Sequence, residues 1–234
     1  MQPVRNLVVV LGDQLDLEAS GFDGFDPLLD AVWMAEVAEE STHVWSSKQR
    51  TALFLSAMRH SAAEMRAAGR VVHYTALDDP EGRGTLADQL TVDVVRLEPA
   101  SLVMTAPGDW RVLESLRRVA AQADIPLEIR EDRHFFCTVR EFAAHVGERS
   151  TLRMEYFYRE QRRRFGILMT PEGKPEGGAW NYDAENRKAF PAQGPGMVPP
   201  RAVFAPDEIT RDVLTLVAAR FADHPGRLDT FAWP

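Results

Sequence analysis

Apolar residues occur along this chain in short continuous runs separated by longer periodic stretches. The run Leu7-Val8-Val9-Val10-Leu11 follows Asn6 and stops at Gly12-Asp13-Gln14-Leu15. A half-exposed strand alternates apolar and polar positions, so an unbroken branched run predicts a central strand covered on both faces, as in a mostly parallel sheet. Ala31-Val32-Trp33-Met34-Ala35-Glu36 repeats the pattern and again ends at an acid. Between Lys48 and Ala68, Leu53, Phe54, Ala57, Met58, Ala62 and Met65 recur at helical spacing, and Gly69 supplies the stop. Arg70 to Thr75 reads as a third strand, Thr85 to Leu97 as a helix ended by Pro99, and Ser101 to Thr105 as a fourth strand. Asp109 can cap a helix through about Ala123, and Pro126 to Arg130 gives a fifth strand.

Strands alternating with helices of this length predict βαβ units: an α/β, Rossmann-like, parallel five-stranded sheet with helices on both faces, over residues 1–133. Residues 134–234 read as a mostly helical and irregular linker region, an interdomain connector with helices near 138–146, 152–164 and 206–223. Ser150 or Thr151 is the expected cap of the second helix, with Met154, Phe157 and Tyr158 packing inward. Residues 166–206 are crowded with glycine and proline, which predicts an extended segment without a core of its own. Ile209, Val213, Leu216, Val217 and Phe221 share one face of the last helix, and the chain reads as an N-terminal portion of something larger.

Composition narrows the picture. A length of 234 residues, 45% hydrophobic and 26% charged, suits a globular α/β domain with an extension. The formal charge of −8 opposes non-specific nucleic-acid binding by the whole surface and leaves room for a local basic patch. A single cysteine, Cys137, excludes an internal disulfide and any zinc or iron–sulfur site built from several cysteines of this chain. Its neighbours Phe135 and Phe136 favour a buried, inert thiol. No apolar run approaches the roughly 20 residues of a membrane span, and no signal-peptide pattern opens the chain, so the expected location is cytoplasmic.

Ligands of open α/β sheets bind beyond the carboxyl ends of the strands, where Gly12, Asp13 and Gln14 lie. There is no GxGxxG fingerprint, so a dinucleotide clamp is not supported. Asp13 and Glu36 either accept hydrogen bonds from a polar ligand or cap a turn and end a strand in solvent. Glu36, Glu39 and Glu40, followed by Lys48, Gln49 and Arg50, form either a polar pocket with Phe54 and Met58 as its apolar wall or a charged loop at a helix start. Tyr156-Phe157-Tyr158-Arg159 and Arg162-Arg163-Arg164 suit either phosphate binding or pairing with Glu155 and Glu160. The string Trp180 to Arg187 reads as a linker pinned against a surface. No nucleophile–base pair, metal-ligand spacing or catalytic histidine pattern is visible. A stand-alone nucleotide- or metabolite-binding or protein-interaction module is therefore one open reading.

Longer strings point further. Leu11-Gly12-Asp13-Gln14-Leu15, Ser56-Ala57-Met58-Arg59-His60 and Pro107-Gly108-Asp109-Trp110-Arg111 are three. Met154 to Arg159, Gly166 to Met169 and Gly177 to Arg187 continue the set. Together they resemble the deoxyribodipyrimidine photolyase-related proteins, the bacterial (6-4) photolyases and iron–sulfur cryptochromes, from the first strand to about Phe231. The resemblance implies an N-terminal antenna domain that binds 6,7-dimethyl-8-ribityllumazine, joined by a long connector to a helical domain. That domain holds FAD, a [4Fe-4S] cluster on four cysteines and most of the DNA lesion site, and it has no counterpart in this sequence. Carried onto matching positions, the lumazine pocket consists of Gly12, Asp13, Gln14, Leu15, Glu36, Glu40, Lys48, Phe54 and Met58. The implied role is light harvesting for a DNA-repair or blue-light photoreceptor flavoprotein. FAD, the cluster, DNA and lyase activity are expected only with a C-terminal flavin domain.

Overall fold

In a computed structural model, residues 3–183 and 188–233 are described; Ala184 to Arg187, part of the predicted pinned string, lie outside the described residues. Five strands form one parallel sheet: β1 Asn6–Val9, β2 Ala31–Ala35, β3 Val72–Thr75, β4 Ser101–Thr105 and β5 Leu127–Arg130. Their spatial order is β3-β2-β1-β4-β5. β1 is paired on both sides, with Leu7 opposite Ala31 and Leu102. The connections from β1 to β3 progress in one direction, and β4 then returns to the other side of β1, so the strand order reverses between β1 and β4.

The continuous apolar runs are explained by two cores. Successive strand side chains face opposite ways. Leu7, Val9 and Leu11 point to one face with Trp33, Leu90 and Leu116. Val8 and Val10 point to the other with Met34, Met65 and Val217. The first face is covered by α3 (Leu86–Leu97) and α4 (Trp110–Gln122), and the second by α2 (Lys48–Ala67) and the last helix, Glu208–Arg220. A short α1, Ala38–Thr42, follows β2. Ser47, Thr85 and Asp109 cap α2, α3 and α4 with side-chain acceptors, and Gly69, at φ +80, follows α2. Among the described residues no helix is long and apolar enough to cross a membrane.

The chain forms two compact units, residues 1–132 with 202–234 and residues 133–201. The sequence pattern predicts a connector over 134–234; the last helix instead packs along α2 and places Val213, Val217 and Phe221 in the core. Its apolar stripe finds a sheet-covering neighbour close by, and Asp207, its N-cap, also hydrogen-bonds His60 on α2 at 2.7 Å.

Residues 133–201 contain α5 (Val139–Val146) and α6 (Met154–Phe165). The last helix of the first unit, Glu208–Arg220, is therefore α7. Thr138 and Glu141 form a reciprocal capping box on α5. α6 starts after Arg153 with no side-chain cap, so neither Ser150 nor Thr151 serves as expected. The apolar centre of this unit is Phe157 packed on Phe142 and His145. Met154 and Tyr158, expected inside, are exposed, while Arg162 is buried and donates to the carbonyls of Ile167 and Leu168. Cys137 is half-buried beside two exposed phenylalanines, Phe135 and Phe136, which corrects the expectation of a buried thiol. Among the described residues of this unit only Arg162 is buried, so they form no interior deep enough to take these side chains.

Candidate functional site

Where the strand order reverses, a cavity of about 260 Å³ opens beyond the carboxyl ends of the strands. Its floor is the exit of β1, where a turn closed by Gln14 N donating to Leu11 O (2.9 Å) presents Gly12 and Asp13. A Cβ on Gly12 would stand 2.8 Å from Met58 Sδ, so glycine here lets α2 approach the strand end. Phe54, Leu55 and Met58 of α2 and Val112 of α4 supply apolar walls. Glu36 and Glu40 enter after β2, and Pro107 and Asp109 after β4.

The acids in this cavity have different surroundings. Glu36 is buried, and its carboxylate accepts from Arg59 Nε (2.7 Å), Arg59 Nη2 (2.8 Å), Tyr74 Oη (2.5 Å) and the Leu77 amide (2.7 Å). These hydrogen bonds hold the Arg59 guanidinium above its ordinary range, and burial followed by the Glu36 charge does the same for the Tyr74 phenol. Glu36 thus ties β2 to α2 and β3, and its four acceptor positions are filled. Glu40 pairs with Arg111 (2.8 Å), which also reaches Glu39 (3.2 Å) and Asp109 (3.3 Å). Asp13 has no basic side chain against it among the described residues. Although one side of the residue is open to solvent, burial pushes its carboxyl upward against its own backbone N–H, helped by the charges of Glu40, Asp132 and Asp109.

Six of the expected pocket residues converge here: Gly12, Asp13, Glu36, Glu40, Phe54 and Met58. Three point elsewhere. Gln14 donates its side-chain amide to Ala106 O (2.8 Å), bracing the β1 exit against the β4 exit. Leu15 packs into the core beneath α2 and α7. Lys48, the first residue of α2, directs its ammonium to Ala222 O (2.8 Å), just beyond α7, where free carbonyls attract a cation. The lining also includes Ser41, Ser46, Arg50, Thr51 and Leu86. Arg50 and Asp109 are visible in sequence only as a charged helix start and a helix cap. Thr51 and Leu86 give no signal beyond helix periodicity.

In residues 133–201 the predicted aromatic–basic cluster is present. Trp180 lies beside three guanidiniums of α6, those of Arg159 (5.4 Å), Arg162 (5.3 Å) and Arg163 (4.5 Å). Asn181 donates to Glu155 (2.7 Å), so the start of the string is pinned onto α6. Glu155 also pairs with Arg159 and Glu141 with Arg164, which realises part of the charge-pairing reading.

Comparison with known proteins agrees with this arrangement. The sequence matches the family described as "Deoxyribodipyrimidine photo-lyase-related protein" over residues 8–233. It is 40% identical over 230 residues to a protein named "(6-4) photolyase" from Agrobacterium fabrum (strain C58 / ATCC 33970), covering 98% of this chain and 45% of that protein. The chain therefore spans about half the length of the curated relative it matches. A family match that begins in β1 and ends beyond α7, together with a pocket at the reversal of the sheet, leads to one conclusion: this chain belongs to the deoxyribodipyrimidine photo-lyase-related proteins.

Proposed function

We propose that this chain is the antenna region of a photolyase- or cryptochrome-like flavoprotein, and that the cavity between β1, β2, β4 and α2 holds 6,7-dimethyl-8-ribityllumazine. The observation that carries this reading is the pairing, in one cavity, of an apolar slot (Phe54, Leu55, Met58) with the carboxylate of Asp13, which no basic side chain among the described residues engages. The residues suit such a ligand. A flat heteroaromatic ring needs apolar walls, and a ribityl chain needs acceptors and hydroxyl partners, here Asp13, Glu40 and Ser41. At about 260 Å³ the cavity lies below the range of about 300–1,000 Å³ typical of pockets enclosing drug-sized ligands, which favours one small ring system over FAD. When bound, the lumazine would supply absorption in the near-ultraviolet and blue. The chain's residues position it, exclude water from its ring and fix its hydroxyl groups.

The same reading leaves catalysis to a longer protein. One cysteine cannot supply the four thiolates of a [4Fe-4S] cluster. FAD, the cluster, the DNA lesion and lyase or signalling activity are assigned to a flavin domain that accompanies this region in full-length form. The cytoplasm is the compartment proposed for it. Titration of the purified chain with the lumazine, followed by ligand fluorescence, tests the pocket. Saturable change is expected, with Asp13→Ala weakening binding about tenfold or more through loss of a charge-assisted hydrogen bond. Unchanged fluorescence, or Asp13→Ala matching the parent, overturns the assignment.

A further inference from the structure

We propose that the turn after α7, residues 222–226, is a positioning element of the cavity, with His224 fixing the start of α2 and so the wall that α2 supplies. Ser46, Arg50, Thr51 and Phe54, all of them lining residues, belong to the segment where α2 begins. No residue of α1, the short helix before it, is buried, and His43, Val44 and Trp45 are exposed. Apolar packing from that side therefore does not fix where α2 starts. The fastening comes from residues 222–230.

His224 is buried, and its Nδ1 faces Ser46 O at 2.9 Å. A carbonyl only accepts, so this nitrogen carries the proton and donates. Trp45 stacks on the same imidazole at 4.5 Å with 23° between the planes. The ring also packs on Phe221, which lies in the core with α2. Beside it, Pro225 O accepts from the Lys48 amide at 2.8 Å, one of the first-turn N–H groups that no helical carbonyl reaches. The Lys48 ammonium reaches Ala222 O at 2.8 Å, and Gln49 donates to Thr230 Oγ1 at 3.1 Å. Gly226, at φ +95, gives the chain the backbone this turn needs.

His224 itself does not line the cavity; it acts through Ser46, which does. An apolar side chain would fill the same space, but only a donor orients the Ser46 carbonyl. With that donor gone, the first turn of α2 loses a fixed entry, and Ser46, Arg50 and Thr51 lose their common frame. A ligand held by this wall favours the fastened arrangement, and the turn favours the ligand by the same factor. The ligand half of this inference rests on the lumazine reading, whereas the fastening of α2 does not.

Lumazine titration of the full chain, combined with amide hydrogen exchange, tests the proposal. His224→Leu removes the donor, His224→Asn restores a side-chain N–H, and Val119→Ala, in the opposite core, controls for lost stability. His224→Leu is expected to weaken lumazine binding about fivefold or more, the lower end of typical coupling between sites. His224→Asn should recover most of that loss, and Val119→Ala should bind as the parent. In the parent, bound lumazine should slow exchange in residues 222–230 as well as in residues 46–51. Without ligand, His224→Leu should exchange residues 46–51 faster than either the parent or Val119→Ala. Parent-like affinity of His224→Leu, or a loss that His224→Asn does not repair, overturns the proposal. If the parent ignores lumazine, the cavity assignment falls by itself. Ligand-free exchange of residues 46–51 then decides the role of His224: faster in His224→Leu upholds it, and unchanged refutes it.

Discussion

In residues 1–132 and 202–234 the buried acids are tied into the fold, whereas in residues 133–201 three exposed arginines, Arg149, Arg153 and Arg163, form no salt bridge among the described residues. Glu36 accepts from Arg59, Tyr74 and the Leu77 amide, and Asp93 accepts from Trp33 (2.8 Å), Gln89 (2.9 Å) and Arg96 (2.6 Å). Arg149, Arg153 and Arg163 face solvent. The difference follows from the cores. A parallel sheet covered on both faces has an interior in which an unpaired charge is very costly, so each buried acid there needs several donors. The second unit has a small aromatic centre around Phe157 and no such interior. Charges there can stay hydrated and uncommitted, which suits contact with something outside the chain. Asp13 differs from these acids within the first unit: it is exposed at a cavity, with no basic side chain against it among the described residues.

The largest effect should come from breaking the Glu36 cluster. Glu36→Ala leaves a half-buried guanidinium, a half-buried phenol and a buried amide without their acceptor, and truncating one partner of a buried pair costs about 3–5 kcal/mol. Urea denaturation reads it directly. A loss below about 1 kcal/mol would mean that the cluster rehydrates, and would erase the contrast between the two units.

Apolar packing gives the next comparison. Phe221→Ala, in the core between α2 and the sheet, should cost about 3–5 kcal/mol, as large-to-small core substitutions do. Phe157→Ala removes a ring that is only half-buried, so about 1 kcal/mol is expected. Equal losses, measured by the same denaturation, would show that residues 133–201 have a core as firm as the sheet's.

The fold was readable because its signals are local and repeated. Leu7 to Leu11 and Ala31 to Ala35 could only be strands covered on both faces, and Ser47, Thr85 and Asp109 sit where helices must start. The destination of α7 was not readable, because an apolar stripe on Val213, Val217 and Phe221 does not say which surface it meets. At the site, Gly12, Asp13, Glu36, Glu40, Phe54 and Met58 were found from strand ends and matching strings. Lys48, carried over from matching strings, starts α2 as expected, but its ammonium reaches back to Ala222 O, a direction that residue type and spacing do not specify. The use of Glu36 was equally hidden: Arg59, Tyr74 and Leu77 lie far from it in sequence, and only folding brings them together.

The smallest expected effect concerns how α7 is fastened. His60 on α2 pairs with Asp207 at the N-cap of α7, with both side chains partly exposed (39% and 46%). Burial opposes the charged imidazole, but the Asp207 and Ser56 acceptors prevail and raise its pKa above 6.5. Asp207, bonded by the Thr210 amide and then His60, is lowered from 3.8 to about 2. A raised histidine stabilises fully below its unfolded pKa and loses that contribution as pH rises through the folded value. A lowered aspartate stabilises fully above its unfolded pKa and loses it as pH falls through the folded value. The pair therefore acts fully between about pH 3.8 and 6.5, and fades on either side. In thermal melts, His60→Gln should lie furthest below the parent within that window and converge with it toward about pH 8. A gap that persists unchanged at that higher pH would show that His60 holds α7 by packing and not by charge. If Phe221→Ala costs far more than His60→Gln at every pH, the attachment of residues 202–234 is set by the apolar stripe, with the ion pair trimming its register.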